Sequence, residues 1–416
     1  MSTATGTAGL VRSIIDQRAV RSVFQPLVHL PSLEVVGFEA LSRGPMGSGL
    51  ELPARLMAAA SAAGCLEELD WVCAASAVRA AVAAHLSPFM TLFLNLEPST
   101  LAAPCPADLL ADMARARQNL RVVIEMGERS LLDQPSDLLD AVAAVRRDGW
   151  GVAVDRVGGD VTALALLPFI RPDVVKVSLP LLKARDQADW AETANVVRAY
   201  AERSGAAILA SGAQSREDAW LARALGATYG QGWHYGRPGP LPSEAKAPWQ
   251  PFPLLAGAQG NGDQTPFELV ASQREAVLAH RHLLRHVSAF LEDQALKEPE
   301  AVVLSCFGHA RHLAGPTFER YRRIGGRAIF VAALAEELAP GMAPPGARGV
   351  ALAPWDRLCH EWDVVVVSPH FTGALVAREH EDGSGDPHQY FDYVVTYERS
   401  LVETAATALL YRVTRH

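Results

Sequence analysis

At 416 residues the chain exceeds the size of a single hydrophobic core, since domains run about 100 to 200 residues, and two domains are expected. Its 38 Lys and Arg against 46 Asp and Glu give a formal charge of −8, which excludes a basic coat for gripping nucleic acid or anionic lipid along the whole molecule. With 49% hydrophobic and 20% charged residues, disorder on the scale of the chain is excluded too.

Residues 1–14 read as a tail without a basic start and apolar run, and no stretch reaches the about 18 apolar residues of a membrane span. From residue 15 to 242, β-branched runs alternate with Ala- and Leu-rich helical stretches, the pattern of parallel strands joined by crossover helices. Strands are expected near 23–29, 35–42, 91–96, 122–126, 151–155, 174–178, 206–211 and 229–234. Eight strands at this spacing predict a modified (β/α)8 barrel; only the turn at Pro31 separates the first two, so they form an antiparallel hairpin. Polar residues cluster at the strand ends, where such barrels carry their sites.

Residues 243–266 are rich in Pro and Gly and read as a linker. The apolar spacing of Leu269, Val270, Val277, Leu283, Leu284, Val287 and Leu291 predicts one connecting helix over 267–298, able to join the domains or to pair with its copy in a homodimer. A smaller α+β domain follows over 299–416, with strands near 302–307, 328–333, 349–353, 363–368, 372–378 and 390–397 and helices near 317–323 and 400–413.

Phe24-Gln25-Pro26, then Glu39-Ala40-Leu41-Ser42-Arg43, Asn95, Glu125-Met126-Gly127-Glu128, Asp155, Lys176 and Gln231-Gly232-Trp233 stand in this order with barrel spacing. The series resembles the EAL domain of cyclic di-GMP phosphodiesterases, over about residues 15 to 242. In-line hydrolysis of a phosphodiester is helped by two divalent ions ringed by hard oxygen ligands. The resemblance implies that Glu39, Asn95, Glu125 and Asp155 hold a first ion, Mg²⁺ or Mn²⁺. It also implies that Gln25, Arg43 and Gln231 touch the dinucleotide, and that Lys176 positions water or phosphate.

The second-ion set departs from the family pattern. Arg156 replaces the second aspartate of the D-D pair, and Ser211-Gly212-Ala213-Gln214 replaces E-G-V-E, lacking both carboxylates. Two unit charges about 4 Å apart at an effective dielectric of 20 interact by about 4 kcal/mol, so an arginine there weakens a cation site by roughly three orders of magnitude. Arg156 is read either as a phosphate-gripping fork or as a salt-bridge partner of Asp155 or Glu125, and Lys176 likewise as catalytic or as a structural ion-pair partner. The loop Val157 to Leu164 also loses the family's aromatic pair and serines.

In the C-terminal part, Tyr321-Arg322, the run Glu361 to Val367 and Ala374 to Glu379 resemble the DICT domain, a sensory module whose ligand the match does not imply. Ten of the 13 histidines lie after residue 250, and Cys306, His309, His312, Cys359 and His360 invite a metal hypothesis, although buried thiols in apolar strands are ordinary packing. An odd five cysteines with no C-x-x-C pair suit a reducing cytoplasm.

The resulting expectation is a cytoplasmic signalling protein: a degenerate EAL barrel acting by binding cyclic di-GMP or a partner protein, followed by a sensory domain. It is expected to be a homodimer, to bind no nucleic acid, to insert in no membrane, and to hold one Mg²⁺ or Mn²⁺ at most and by preference none. The alternatives are a weak phosphodiesterase using the first-ion set, and a scaffold with an empty barrel.

Overall fold

A computed structural model describes residues 2–127, 135–158, 162–185, 187–242, 246–255, 264–298, 300–339, 341–380 and 390–413. Contacts divide the chain into two compact units, one built mainly on residues 1–257 and the other mainly on 258–416.

The first unit is a closed barrel of eight strands in chain order: β1 (Arg21–His29), β2 (Val35–Arg43), β3 (Thr91–Asn95), β4 (Arg121–Gly127), β5 (Gly151–Val157), β6 (Val174–Ser178), β7 (Ala207–Ser211) and β8 (Tyr229–Gln231). β1 runs antiparallel to both β2 and β8, whereas the remaining neighbours are parallel. The short connection after His29 leaves no room for a crossover, and Leu33 takes a left-handed φ of 59° to close the turn. β6 is buried along its whole length, as expected of parallel strands covered on both faces.

Two expectations for this unit are corrected. Residues 1–14 are no tail: Ser2–Asp16 is a helix that buries Val11, Ile14 and Ile15, and that apolar spacing is what holds it to the barrel. Nor is the Pro-rich stretch wholly a free linker. Phe252 is fully buried at the end where the parallel strands begin, in the layer formed by Leu27, Phe93, Val123, Val174 and Leu209. Its ring meets Phe93 edge-on at 5.5 Å and Tyr229 at 4.2 Å. Arg121 Nη2 donates to Phe252 O at 2.6 Å, and Asp173, paired with Arg146 at 2.7 Å, accepts from Leu255 N at 2.5 Å. Prolines on either side of Phe252 deny it a ladder but suit an extended plug. Residues 243–245 and 256–263 of the expected linker lie outside the described residues.

The second unit is a seven-stranded sheet ordered β12-β11-β10-β13-β14-β15-β9, from β9 (Val277–His280), β10 (Val302–His309), β11 (Phe330–Glu336), β12 (Arg348–Leu352), β13 (Glu361–Val367), β14 (Thr372–Glu379) and β15 (Tyr390–Thr396). The β10–β11 and β11–β12 pairs are parallel, and the others antiparallel. Helices Arg281–Ala295 and Pro316–Gly325 bury Leu284, Leu291, Tyr321 and Ile324 against one face. Pro266–Ala271 and Arg399–Leu410 cover the other.

The single connecting helix expected over 267–298 is broken. Thr265 and Glu268 form a reciprocal capping box that starts Pro266–Ala271, Ser272 ends it, and Val277–His280 pairs with the open edge of β15 before the next helix begins. Backbone pairing along β15 outweighs helical periodicity here. The His280 side chain then caps the new helix by accepting from His282 N at 3.2 Å.

On β13, Asp363 is fully buried and its carboxylate oxygens make no hydrogen bond. Burial, and then Glu361 nearby, push it well above the usual carboxylate range. An acid raised in the fold is neutral there but ionises in the unfolded chain, so its stability contribution is full below about pH 3.9 and is lost as pH rises toward the folded value. Asp363→Asn is therefore expected to raise the thermal midpoint at pH 8, by about 4–8 °C for a penalty near 2 kcal/mol, and to leave it nearly unchanged at pH 4. An equal or lower midpoint at pH 8 contradicts this. Phe252→Ala is expected to lose about 3–5 kcal/mol in urea unfolding; a loss below about 1 kcal/mol would reject the plug.

Candidate functional site

Register brings the polar residues of the barrel to one mouth. Gln25 lies opposite Glu39, Leu27 opposite Gln231, Asn95 opposite Glu125 and Gly127 opposite Asp155. Lys176, in the middle of β6, is 1% exposed and points its ammonium into this ring. Its Nζ lies 2.5 Å from Glu125 Oε1, 3.2 Å from Glu39 Oε2 and 3.6 Å from Asp155 Oδ1.

Glu39 is the second hub. Its Oε1 accepts from Asn95 Nδ2 at 3.1 Å, and its Oε2 accepts from Gln231 Nε2 at 2.5 Å as well as from Lys176. Gln231 also reaches Gln25 Oε1 at 3.3 Å, and Gln25 Nε2 donates to Gly236 O at 3.1 Å.

Electrostatics follow from three carboxylates facing one ammonium. Burial alone raises Glu39, but the Lys176 charge and the hydrogen bonds from Gln231 and Asn95 outweigh it and hold the group below its ordinary value. Burial opposes the charge on Lys176, yet Asp155, Glu125 and Glu39 together keep it protonated, above the usual lysine range. Glu125 absorbs the surplus: burial, then Glu39 and Asp155, push it well above the carboxylate range, and its buried Oε2 has no hydrogen-bond partner.

Beside this cluster lies a cleft of about 230 Å³ whose walls include Gln25, Glu39, Asp155, Arg156, Lys176, Ser211, Gln214, Gln231 and Trp233. Arg156 is exposed, with a left-handed φ of 63°. The bridge from Arg156 to Asp155 or Glu125, one of the two roles read for that residue, is not found among the described residues; Lys176, which reaches both acids from the barrel interior, makes those contacts instead. Arg43 does not line this cleft: it is half-buried, lies opposite Arg21 and donates to Ser42 O at 2.9 Å. Burial, and then the Arg21 charge, lower it from the usual arginine value.

Glu39, Asn95, Glu125 and Asp155 offer hard oxygens, but the centre they share already holds a protein ammonium. Among the described residues no group of three or more His, Cys, Asp and Glu side chains is disposed to hold a metal ion. At the second position the cleft presents Arg156, Ser211 and Gln214, so the donor chemistry does not fit a two-ion centre. In the second unit Cys306 donates to Leu358 O at 3.1 Å, Cys359 to Ala353 O at 3.3 Å, and His309 faces Glu337 at 3.0 Å. Glu128 and Gly159 to Val161, singled out in the sequence, lie outside the described residues.

Three supporting features escaped sequence reasoning. Asp70, buried in Leu66–Ala83, accepts from Thr100 Oγ1 at 2.9 Å and Glu97 N at 3.4 Å, fixing the loop that follows Asn95; burial pushes it up to about 7. The available signal was a carboxylate set between Leu69 and Trp71 at the start of a long apolar helical run. Asp218 accepts from the backbone of Gln214 and Ser215 and is held by Lys183, shaping the cleft wall; the Ser215-x-x-Asp218 capping spacing could have revealed it. At the mouth Arg237 stacks 4.4 Å over the exposed Trp233 ring.

Comparison with known proteins places this geometry. The family model for the EAL domain matches residues 9–238, and that for DICT, a "Sensory domain in DIguanylate Cyclases and Two-component system", matches 267–380. A protein of Escherichia coli named "Probable cyclic di-GMP phosphodiesterase PdeB" is 27% identical over 256 residues, 58% of this chain and 46% of that protein. An uncharacterized protein of Azorhizobium caulinodans is 28% identical over 255 residues, 55% of this chain and 32% of the relative. The chain thus spans less than half the length of these two curated relatives. A solved structure of Klebsiella pneumoniae BlrP1 with manganese and cyclic di-GMP is 28% identical over 53% of this chain and 56% of that one, at a TM-score of 0.46. Among the described residues no helix is long and apolar enough to cross a membrane. The EAL model covers more than half of the chain, and on that match the protein belongs to the EAL domain family, with a DICT domain following the barrel.

Proposed function

We propose that this EAL-DICT chain is a cytoplasmic signalling protein whose barrel binds cyclic di-GMP, or a partner protein, without hydrolysing it, while the DICT domain supplies a second input. One observation carries the reading: the cleft wall that would need carboxylates for a second divalent ion presents Arg156, Ser211 and Gln214. A guanidinium there repels a dication, yet it suits a phosphate, which an arginine fork holds through charge-assisted hydrogen bonds worth about 1.5–3 kcal/mol each. Arg156 replaces by a fixed protein charge what a metal supplies in two-ion phosphodiester chemistry. Lys176 only partly offsets the neighbouring carboxylates: with Glu125 protonated, Glu39 and Asp155 leave one net negative charge, which the Arg156 guanidinium at the cleft wall balances.

A second reading, weak cyclic di-GMP hydrolysis around one ion, is favoured by Glu39, Asn95, Glu125 and Asp155 remaining together at the mouth. The two differ in turnover. Purified protein with Mg²⁺ or Mn²⁺ is expected to give no linear dinucleotide above background, and a rate near one per second, ordinary for enzymes, would overturn the binding reading.

Calorimetric titration in EDTA is expected to give micromolar binding of cyclic di-GMP, weakened about 10-fold to 100-fold in Arg156→Ala, the cost of one or two lost charge-assisted bonds. No heat for the wild type up to about a millimolar would remove the nucleotide and leave partner-protein binding as the function of the mouth.

A further inference from the structure

Two acids lie buried on β13 with no cation against them. Glu361 and Asp363, two residues apart and so on one face of the strand, are 2% and 0% exposed, and among the described residues neither makes an ion pair. The charges around them are engaged elsewhere. Arg378 on β14 and Arg357 both turn to Glu268, at 3.8 Å and 2.6 Å, and Arg412, just beyond helix Arg399–Leu410, turns to Asp356 at 3.5 Å. On β10 the facing group is the Cys306 thiol, opposite Asp363 in register.

Glu361 also holds the first helix after the barrel. Its Oε1 is hydrogen-bonded to the Thr265 hydroxyl, and its Oε2 accepts from Phe267 N at 3.2 Å. Thr265 is the N-cap of helix Pro266–Ala271, and Phe267 and Val270 of that helix are buried. A helix of six residues does not persist alone, so its place depends on those two apolar anchors and on Glu361.

We propose that Glu361 is a proton-dependent latch on helix Pro266–Ala271, which is docked on the sheet while the acid holds its proton and is released as the acid ionises. The protonated acid suits both partners, its O–H donating to Thr265 Oγ1 and its other oxygen accepting from Phe267 N. Ionised, it is a buried charge without a counter-charge, with a second acid beside it, and undocking returns it to water. Burial pushes Glu361 up to about 7 against the hydrogen bonds from Thr265 and Phe267 and the pull of Arg378, while Glu268 adds to the rise. A glutamate in water titrates near about 4.3. The hold on the helix is therefore full below about pH 4.3, is lost as pH rises toward about 7, and is constant above that.

The test is hydrogen–deuterium exchange of the full chain, read in peptides covering 265–272 and corrected for the intrinsic pH dependence of exchange. Opening of this segment should rise about 20-fold from pH 5.5 to 7.5, with the central strand β10 unchanged. Glu361→Gln, whose amide offers the same donor and acceptor as the protonated acid, should stay closed across the range. Thr265→Ala should open the segment about fivefold at every pH through loss of the N-cap and keep the slope. The wild-type profile decides even where Glu361→Gln fails to fold: opening that is flat or falls as pH rises overturns the latch. A slope that survives unchanged in folded Glu361→Gln overturns it as well, assigning the titration to another group.

Discussion

A single buried ammonium organises the mouth of this barrel. Lys176 stands within 3.6 Å of Asp155, Glu125 and Glu39, and each of those carboxylates comes from a different strand. An isolated buried ion costs several kcal/mol, so the cluster persists only because each charge faces another. The strands must therefore keep their register, since a slip of one residue would turn an acid away from the lysine and leave it unpaired. The hydrogen bonds of Asn95 and Gln231 to Glu39 follow from the same register, and so does the neutral state assigned to Glu125.

Much of this was legible in the residues. The strands of the barrel are short apolar runs that both faces bury, and the first hairpin follows from a connection too short for a crossover. The order of the polar residues along the chain placed Glu39, Asn95, Glu125, Asp155, Lys176 and Gln231 at one mouth, where the structure brings them together. Their pairing was not legible. Sequence spacing cannot say whether Arg156 or Lys176 reaches Asp155, since that depends on which side chain points into the barrel; Lys176 points inward and Arg156 lines the cleft beside it.

Two other failures have the same physical origin, a long-range partner that local pattern cannot reveal. Val277 to His280 fit a helical stripe, but the free edge of β15 takes them as a strand. The composition around Phe252 reads as a flexible linker, and proline-flanked residues do avoid regular ladders, yet the open end of a barrel provides an apolar socket that an extended segment can fill. Both show tertiary burial overriding a correct reading of local preference.

Two residues beside the cleft lie close together. Gly127 ends β4, and Arg156 lies on the neighbouring strand β5. A Cβ on Gly127 would stand 3.2 Å from Arg156 Nη2, the far end of a flexible and exposed side chain that can yield a few tenths of an ångström, and 3.4 Å from Glu97 Oε1. The guanidinium thus lies over Gly127, on a side chain that leaves a left-handed backbone position unusual for an arginine. Arg156 gives this lip of the cleft a guanidinium beside carboxylates that Lys176 only partly offsets, so the lip and the ring balance each other in charge.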